Sequence, residues 1–229
     1  MDTGLYIAAS GMLAQQVRED QLANDLSNAS TPGYKTDASV QSDFGALLLA
    51  NTATGQQIGQ LNTGVKLGTP VTDLTPAALH STGQPLDFGI AGTGFFAVRT
   101  PQGVQYTRDG QFAQSAQGLL VDGQGNDVLS QNGAPIAVSA QGTVPASSVG
   151  VFNVTSPTKQ GYNYFTGTAT GRASGIVKQG ELEDSAVDPI TTMVNMISAT
   201  QTYQTGENAI QTIDSTMQES SQSVGSLGG

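Results

Sequence analysis

The sequence predicts an α+β protein with a discontinuous terminal α-helical coiled-coil domain, formed by both chain ends, and a central all-β domain. Two observations predict this architecture: apolar residues recur in sevens near both ends, and short apolar runs separated by glycine-containing turns fill the middle. The predicted boundaries are residues 1–35 and 186–229 for the helical domain, 36–70 for a linker or extended arm, and 71–185 for the β domain.

The clearer heptad pattern lies between Pro189 and Leu227. Asp188 and Pro189 suit the cap and the first position of a helix. Positions seven apart, and those three residues later, form an a/d seam of apolar or small residues on one helix face. The a positions are Met196, Tyr203, Ile210, Met217 and Val224, and the d positions are Ala199, Gly206, Ile213, Ser220 and Leu227.

A weaker seam runs along a predicted helix from Leu5 to Ala29. Gln15 and Glu19 interrupt it, and the helix should end before Thr31-Pro32-Gly33, whose Pro-Gly order suits a type II turn. This helix is the best internal partner for the C-terminal one, although each helix packing separately on the middle of the chain remains an alternative. The predicted assembly interface comprises Leu5, Met12, Leu22, Leu26, Met196, Tyr203, Ile210, Ile213, Met217 and Val224.

The segment after the first helix gives a weaker signal. Residues 44–50 are apolar and suit a short helix or a strand. Residues 51–70 are rich in Thr, Gly, Gln and Asn, which is typical of a loop or an extended arm.

Residues 71–178 carry the β signal. Short apolar or alternating runs are separated by Asp-Gly and other glycine turns, as in an all-β region. The predicted strands lie at 86–91, 95–98, 104–107, 119–121, 128–129, 136–138, 149–154 and 162–165.

Composition excludes several classes of function. The chain has 229 residues with a net charge of -10, which argues against a nucleic-acid partner. It has no cysteine, so thiolate chemistry and disulfides are excluded. No apolar run approaches the ~20 residues of a membrane span, and Met1-Asp2-Thr3-Gly4 lacks the basic start of a cleaved signal peptide.

No catalytic, cofactor-binding or metal-binding residue is predicted, and no small-molecule substrate. His80 is the single histidine, so no Ser-His or two-His site is available. Gly89, Gly92 and Gly94 have the wrong spacing for a dinucleotide loop. The run 122–127 lacks the glycine and the glutamate of a calcium loop, which favours a hairpin turn.

The remaining charged residues are predicted to be structural. Glu181, Glu183 and Asp184 precede the last helix, where negative charge is favourable, and we expect them to be solvated. Arg99 and Arg108 are isolated in strand-like runs and suit either surface or ion-paired positions.

Three stretches together resemble the rod proteins of the bacterial flagellar basal body, within the wider rod and hook axial family. Residues 23–35 resemble the family's Ala-Asn-Asn-Leu-Ala-Asn-x-x-Thr-x-Gly-Phe/Tyr-Lys signature, with mild departures at Asp25 and Ser27. Residues 86–129 contain similar Gly-x-Gly-Phe-Phe, Tyr-Thr-Arg-x-Gly-x-Phe and Gly-x-Leu-Val elements. Residues 180–203 resemble the C-terminal motif, with Ala186 in place of a usual Asn and Gln201-Thr202 in place of Arg-Ala.

The resemblance implies a structural subunit, not an enzyme, in the periplasm-spanning rod, with a helical coiled-coil domain at the inner tube wall and an outer β domain. It implies contacts with copies of itself, with other rod and hook axial proteins and with the flagellar export apparatus, and export without a cleaved signal peptide. The start of the chain and the spacing from Val128-Leu129 to Pro135-Ile136 favour a proximal over a distal rod subunit.

The seams predict how such a subunit assembles. They contain Gln15, Glu19, Gly206 and Ser220, so we expect the ends to be poorly ordered alone and to fold when subunits stack into a helical tube that transmits torque. The alternative functions are a secreted β-rich adhesive or glycan-binding module with a helical oligomerisation segment, and a hydrolase using the acidic residues near Glu181. The chain has no tryptophan for glycan stacking and no convergent catalytic groups.

Overall fold

A computed structural model describes residues 2–43, 46–50, 57–62, 64–161 and 163–226. In these residues the chain forms two α-helices and seventeen strands. It divides into a helical unit, Met1–Leu26 with Asp37–Val71 and Pro189–Gly229, and a β unit, Ser27–Thr36 with Thr72–Asp188. The predicted α+β class, with a helix at each end and a β-rich middle, is confirmed.

The helices are α1 (Asp2–Ser27) and α2 (Pro189–Ser226). The strands are β1 (Asp37–Ala38), β2 (Gln41–Asp43), β3 (Ala46–Ala50), β4 (Gln57–Asn62), β5 (Val65–Leu67), β6 (Val71–Thr72), β7 (Leu79–Ser81), β8 (Phe88–Ala91), β9 (Phe96–Thr100), β10 (Gly103–Thr107), β11 (Ala113–Gln114), β12 (Leu120–Val121), β13 (Asp127–Val128), β14 (Phe152–Gln160), β15 (Tyr164–Arg172), β16 (Ile176–Gln179) and β17 (Glu181–Glu183). Neither helix offers, over the residues described, the apolar stretch that a bilayer crossing would need.

The chain leaves α1 through the predicted turn. The Tyr34 amide donates to the Thr31 carbonyl at 3.3 Å, and Gly33 has a φ of 65°. A hydrogen bond across four residues, with Pro second and a left-handed Gly third, is the arrangement that the Pro-Gly order predicts.

The helical unit also contains a two-stranded ribbon. β2 pairs with β5 and β3 with β4, both antiparallel, and one register runs through both pairs as far as a shift between Leu49 and Ala50. Strands therefore replace the loop or extended arm predicted for part of residues 51–70, and a strand forms at 46–50. The predicted elements at residues 44–45, 51–56 and 63 lie outside the described residues.

The ribbon contacts α1 through the first residue of β5. Ser10 Oγ accepts a hydrogen bond from the Val65 amide at 3.3 Å. The neighbouring Gly64 has a φ of 127°, and a Cβ there would lie 2.7 Å from Ser10 Oγ. Among the described strands, β3 and β4 pair only with each other, and a ribbon of two strands is marginally stable by itself.

The β unit is organised around a seven-stranded sheet in the order β11-β12-β13-β9-β10-β15-β14. β9 lies in the middle, and residues around it alternate between two hydrophobic clusters. Phe96 and Val98 pack with Leu120 and Val128 on one side, whereas Phe95 and Ala97 belong to the other cluster. Burial on both faces explains why this strand reads as a continuous apolar run.

Five of the eight predicted strands are confirmed within two residues, and those predicted at 149–154 and 162–165 end six or seven residues later in the structure, as β14 and β15. Residues 136–138 are not a strand. They contribute one isolated bridge, between Ala137 and Leu119. Tyr162, in the last predicted strand, lies outside the described residues. Two strand pairs outside the sheet, β16 with β8 and β17 with β7, bring the segment that precedes α2 back onto the β unit.

Candidate functional site

A buried ion cluster joins three distant parts of the β unit. The Glu183 carboxylate accepts hydrogen bonds from Lys35 Nζ at 2.7 Å and from Arg108 Nη1 at 2.9 Å. The side chains of Lys35 and Glu183 are completely buried, and that of Arg108 is 2% exposed. Lys35 follows α1, Arg108 follows β10 and Glu183 ends β17, so one carboxylate connects three segments.

Further hydrogen bonds compensate for the burial of these charges. Glu183 Oε1 also accepts from the Ala77 amide at 2.8 Å, and Lys35 Nζ donates to the Thr75 carbonyl at 2.7 Å. Arg108 Nη2 donates to the Gly92 carbonyl at 2.9 Å, and the guanidinium lies 5.3 Å from the centre of the Phe95 ring. These hydrogen bonds replace the hydration that the buried side chains lose.

The turn after α1 fits tightly against the cluster. The Gly33 amide donates to the Glu183 carbonyl at 2.9 Å. A Cβ at Gly33 would lie 2.3 Å from the Arg108 carbonyl oxygen, in addition to its left-handed φ. Glycine is therefore required here by both conformation and space.

The hairpin of β14 and β15 holds the same segment from another side. Lys159 Nζ donates to the Lys35 carbonyl at 2.7 Å and lies 3.9 Å from the centre of the Tyr34 ring. Asn163 Nδ2 donates to the Pro32 carbonyl at 3.2 Å. The interaction of a cation with an aromatic face is favourable when the cation is partly desolvated, so the hairpin further stabilises the position of residues 32–35.

The segment before α2 is tied to the segment after α1. Ser185 Oγ donates to the Asn28 carbonyl at 2.9 Å, and the Ala186 amide donates to the Tyr34 carbonyl at 3.0 Å. We call the cluster of Lys35, Arg108 and Glu183, with these two hydrogen bonds, the clasp. The clasp fixes, on one unit, the two chain segments that lead into the terminal helices.

The expectation that the acidic group before α2 is solvated is wrong for Glu183. It holds for Asp184, which is exposed and lies 2.5 Å from His80 Nδ1, and Glu181 is partly exposed beside Lys178 at 3.2 Å. Glu183 differs because β17 pairs with β7 and turns its side chain inward, towards Lys35 and Arg108. Arg108 takes the ion-paired position that the sequence left open, whereas Arg99 is exposed and donates to the Gly133 carbonyl at 3.1 Å.

The Asp122 loop is a hairpin turn between β12 and β13, as the sequence favoured. Asp122 Oδ1 accepts from the amides of Gln124 and Asn126 at 2.9 and 2.8 Å, and Oδ2 accepts from the Tyr164 hydroxyl at 2.6 Å. Both carboxylate oxygens are thus used inside the turn. Across the described residues, no three acidic or histidine side chains gather where a metal ion would fit.

The seam residues of α2 occupy one partly covered helix face. Met196, Tyr203 and Ile210 are partly buried, as are Ile213 and Met217, whereas most positions between them are exposed. Ala199, at a d position, is 2% exposed. The backbone of Val224 belongs to α2, but its side chain lies outside the described residues.

The predicted interface residues of α1, Leu5, Met12, Leu22 and Leu26, are also partly buried. A Cβ at Gly206 of α2 would lie 2.8 Å from Met12 Cγ, and one at Gly4 would lie 3.9 Å from Ile213 Cδ1. The two seams therefore approach each other at these points. A second set of apolar residues on α2, which the seam pattern missed, is exposed: Ile190, Met193, Val194 and Ile197.

Comparison with known proteins matches three family descriptions to the chain. "Flagella basal body rod protein" covers residues 5–35, "Flagellar hook protein FlgE/F/G D1 domain" covers 89–151, and "Flagellar basal body rod FlgEFG protein C-terminal" covers 178–223. The flagellar basal-body rod protein FlgG of Bacillus subtilis is 31% identical over 94% of this chain and 96% of its own length. The chain belongs to the flagellar basal-body rod protein family.

Other rod proteins match at similar identity. FlgG of Buchnera aphidicola from Schizaphis graminum is 29% identical over 97% of this chain and all of its own length. FlgF of Mesorhizobium japonicum is 28% identical over the whole chain and 99% of its own length. The predicted family and the structural rod role are confirmed, and the adhesive alternative has no support.

Family membership places the rod protein at the flagellar basal body, in assembly with other rod and hook axial proteins, and points to a structural rather than an enzymatic role. Each of the three matched regions supplies one charged member of the clasp: Lys35 the first, Arg108 the second and Glu183 the third. The clasp is therefore built from the parts of the chain that carry the family pattern.

The shifted pKa of Asp109, which lies next to the clasp residue Arg108, makes the free energy of unfolding of the rod protein depend on pH. Burial raises the pKa of Asp109 to about 6, the Gln111 amide at 2.9 Å opposes this, and the charges of Asp122 and Asp87 add to it. Because the folded pKa lies above the ordinary value of 3.8, the folded state favours the protonated form. The stability from this group is fully present below about pH 4 and is lost as pH rises through about 6.

We therefore expect Asp109→Asn to raise the free energy of unfolding at pH 7 by about 1–2 kcal/mol, with no gain at pH 4. Urea unfolding at the two pH values measures the difference. Asp214→Asn, at an exposed position on α2, is the control and should change either value by less than about 0.5 kcal/mol. A gain from Asp109→Asn that is equal at both pH values would contradict the assignment.

Proposed function

We propose that this chain is an axial rod subunit that assembles through its terminal helices into a helical tube and transmits torque. The observation that carries the proposal is the half-covered seam of α2 in a chain that matches rod proteins from end to end. The large seam residues Met196, Tyr203, Ile210, Ile213 and Met217 are neither fully buried nor fully exposed, as expected for a helix when part of its partner surface is missing.

The energetics support completion of the seams by neighbouring subunits. Helices are marginal in water without tertiary contacts, and Gly206 and the polar Gln15 and Glu19 weaken the contact between α1 and α2. Burial of the remaining apolar seam surface contributes about 25 cal/mol per Å². We propose that both helices have low local stability in a single subunit and gain stability on stacking.

The finer organisation is part of the proposal. The terminal segments 1–35 and 186–229 would form one coiled-coil domain in the assembled rod, with 71–185 as the β domain. The two-stranded ribbon is marginally stable alone, and the sequence of β3 has three consecutive leucines, so we propose that the ribbon packs on a neighbouring subunit.

The clasp suits a subunit under load. A force on α1 reaches residues 28–35 and a force on α2 reaches residues 183–188, and hydrogen bonds and ion pairs join these segments directly. Both chain segments that lead into the helices are therefore fixed within the β unit. This arrangement favours a part that transmits torque.

The partners and the position in the rod extend the proposal. We expect contacts with copies of this chain and with other rod and hook proteins, and export by the flagellar apparatus without cleavage of a signal peptide. We place the subunit in the proximal rod, with the distal rod as the alternative.

A deletion strain tests the proposed function. Cells without this chain should be non-motile, and their isolated basal bodies should lack a complete rod, with both restored by the wild-type chain. Normal motility and complete rods in the deletion strain would overturn the proposal.

A further inference from the structure

The first two turns of α2 carry an exposed apolar stripe. Ile190, Met193, Val194 and Ile197 are exposed to 76, 49, 61 and 59% of their surface. Their spacing puts all four on one helix face. No charged residue occurs between Pro189 and Thr205, so this stretch of α2 contributes no charge to the stripe.

A groove in the helical unit is a concave surface, whereas the stripe is convex. It has a volume of about 620 Å³ and is lined by both helices, with small residues such as Ala8, Gly11 and Gly206 beside the larger Met12 and uncharged polar residues such as Gln15 and Gln201. Small residues leave the groove concave, and its lining is uncharged. Gln15 Oε1 is buried and has no hydrogen-bond partner among the described residues.

The two surfaces match in length, and neither contains a charged residue. The stripe from Ile190 to Ile197 and the α1 wall of the groove from Ala8 to Gln15 each span seven residue steps, or about 10 Å at the helical rise. Large apolar side chains at i, i+3, i+4 and i+7 form a ridge that can pack into a groove between two helices, and the alanine and glycine residues in the groove lining leave room for them.

We propose that the stripe of one copy occupies the groove of the next copy. This inference rests on the proposed self-assembly and names the contact that produces it. Stripe and groove are different surfaces of the same chain, so the contact is head-to-tail and each added copy presents another stripe and another groove. Such contacts build open helical assemblies instead of closed dimers.

The size of the stripe fits stepwise assembly. Four side chains with these exposures make an apolar patch of about 400 Å², a size at which patches on monomers are often functional. This is about half of the ~800 Å² per partner that a stable pair buries. One contact therefore holds two copies weakly, and each copy inside an assembly is held by two such contacts.

Because the natural chain has no cysteine, disulfide trapping tests the contact directly. The double variant Val194→Cys with Ala209→Cys carries one cysteine on the stripe and one on the groove, both at exposed positions. Full-length protein is concentrated until it sediments, oxidised, and run without reductant. We expect a ladder of cross-linked oligomers, because every copy links to the next.

Matched variants make the result specific. A mixture of the two single variants should give cross-linked dimers only, and Val194→Cys alone should not link to itself. Val104→Cys, exposed on β10 of the β unit, should not link to Ala209→Cys. Circular dichroism spectra of all variants should match the wild type.

The outcomes separate the inference from the proposed function. Sedimenting assemblies without the ladder, or Val194→Cys linking to itself as in a symmetric pair, would overturn the stripe-to-groove contact and leave self-assembly standing. Failure of the wild type to sediment at any concentration would overturn self-assembly, and the contact with it.

Discussion

Glu183→Gln should lower the free energy of unfolding of the β unit by about 3–5 kcal/mol. The substitution keeps the size of the side chain but leaves Lys35 and Arg108 buried without an anion, and both already lie within 3 Å of the lost charge. With a urea dependence of about 2 kcal/mol per M, the midpoint of unfolding should fall by about 2 M. Equilibrium unfolding in urea measures this shift.

We also expect a local effect of Glu183→Gln on hydrogen exchange near the clasp. The amides of Gly33 and Ala186 are hydrogen-bonded to the Glu183 and Tyr34 carbonyls, so both should exchange with solvent faster when the clasp loosens. Glu181→Gln is the matched control: its partner Lys178 is half exposed, and the cost should stay below about 1 kcal/mol. Equal effects of the two substitutions would mean that the buried cluster does not stabilise the fold.

Helices and strands were predictable because their signals are local. The heptad spacing of Met196, Tyr203 and Ile210 needs only the helical period, and it identified the partly covered face of α2. The turn at Pro32-Gly33 needs only two residues. The Gly-rich strand pattern likewise anticipated most of the seven-stranded sheet.

The clasp was not predictable in the same way because its members are far apart in sequence. Lys35 and Glu183 are 148 residues apart, and only the pairing of β17 with β7 brings the carboxylate inward. One signal was available: each of the three family-like stretches contains one of the charged residues. The ribbon was missed in part because the Gln, Gly and Asn residues at positions 57–62 leave no regular alternation of apolar and polar residues.

The stripe was missed for a different reason. The heptad pattern selects one face of α2, and Ile190, Met193, Val194 and Ile197 lie on another. Their i, i+3, i+4, i+7 spacing is itself typical of an apolar helix face. When one helix has two apolar faces, however, the sequence shows apolar residues at most positions, and the two faces are hard to separate.

Replacing both Ile210 and Ile213 with Asp should abolish assembly while the β unit stays folded. Each isoleucine contributes about 1.5–3 kcal/mol when buried, and a charge in the seam adds a desolvation cost, so the loss in association is at least about a hundredfold. Sedimentation measures assembly, and urea unfolding followed by near-ultraviolet circular dichroism measures the β unit.

The control variant introduces two Asp residues into α2 at positions outside the seam. Gln211 and Ser215 are exposed on α2, so Gln211→Asp with Ser215→Asp should leave the helix seams intact and weaken assembly much less. If the seam variant unfolds the β unit, the helices belong to the core of the single subunit. If it assembles like the wild type, the seams are not the interface.

The central claim is that neighbouring copies complete the terminal seams. Hydrogen exchange of the α2 amides, measured on the full-length chain before and after assembly, tests it most directly. We expect amides between Met196 and Met217 to exchange rapidly in the single subunit and at least about tenfold more slowly in the assembly. Amides that are equally slow in both states would show that the seams are already complete, and would contradict the account.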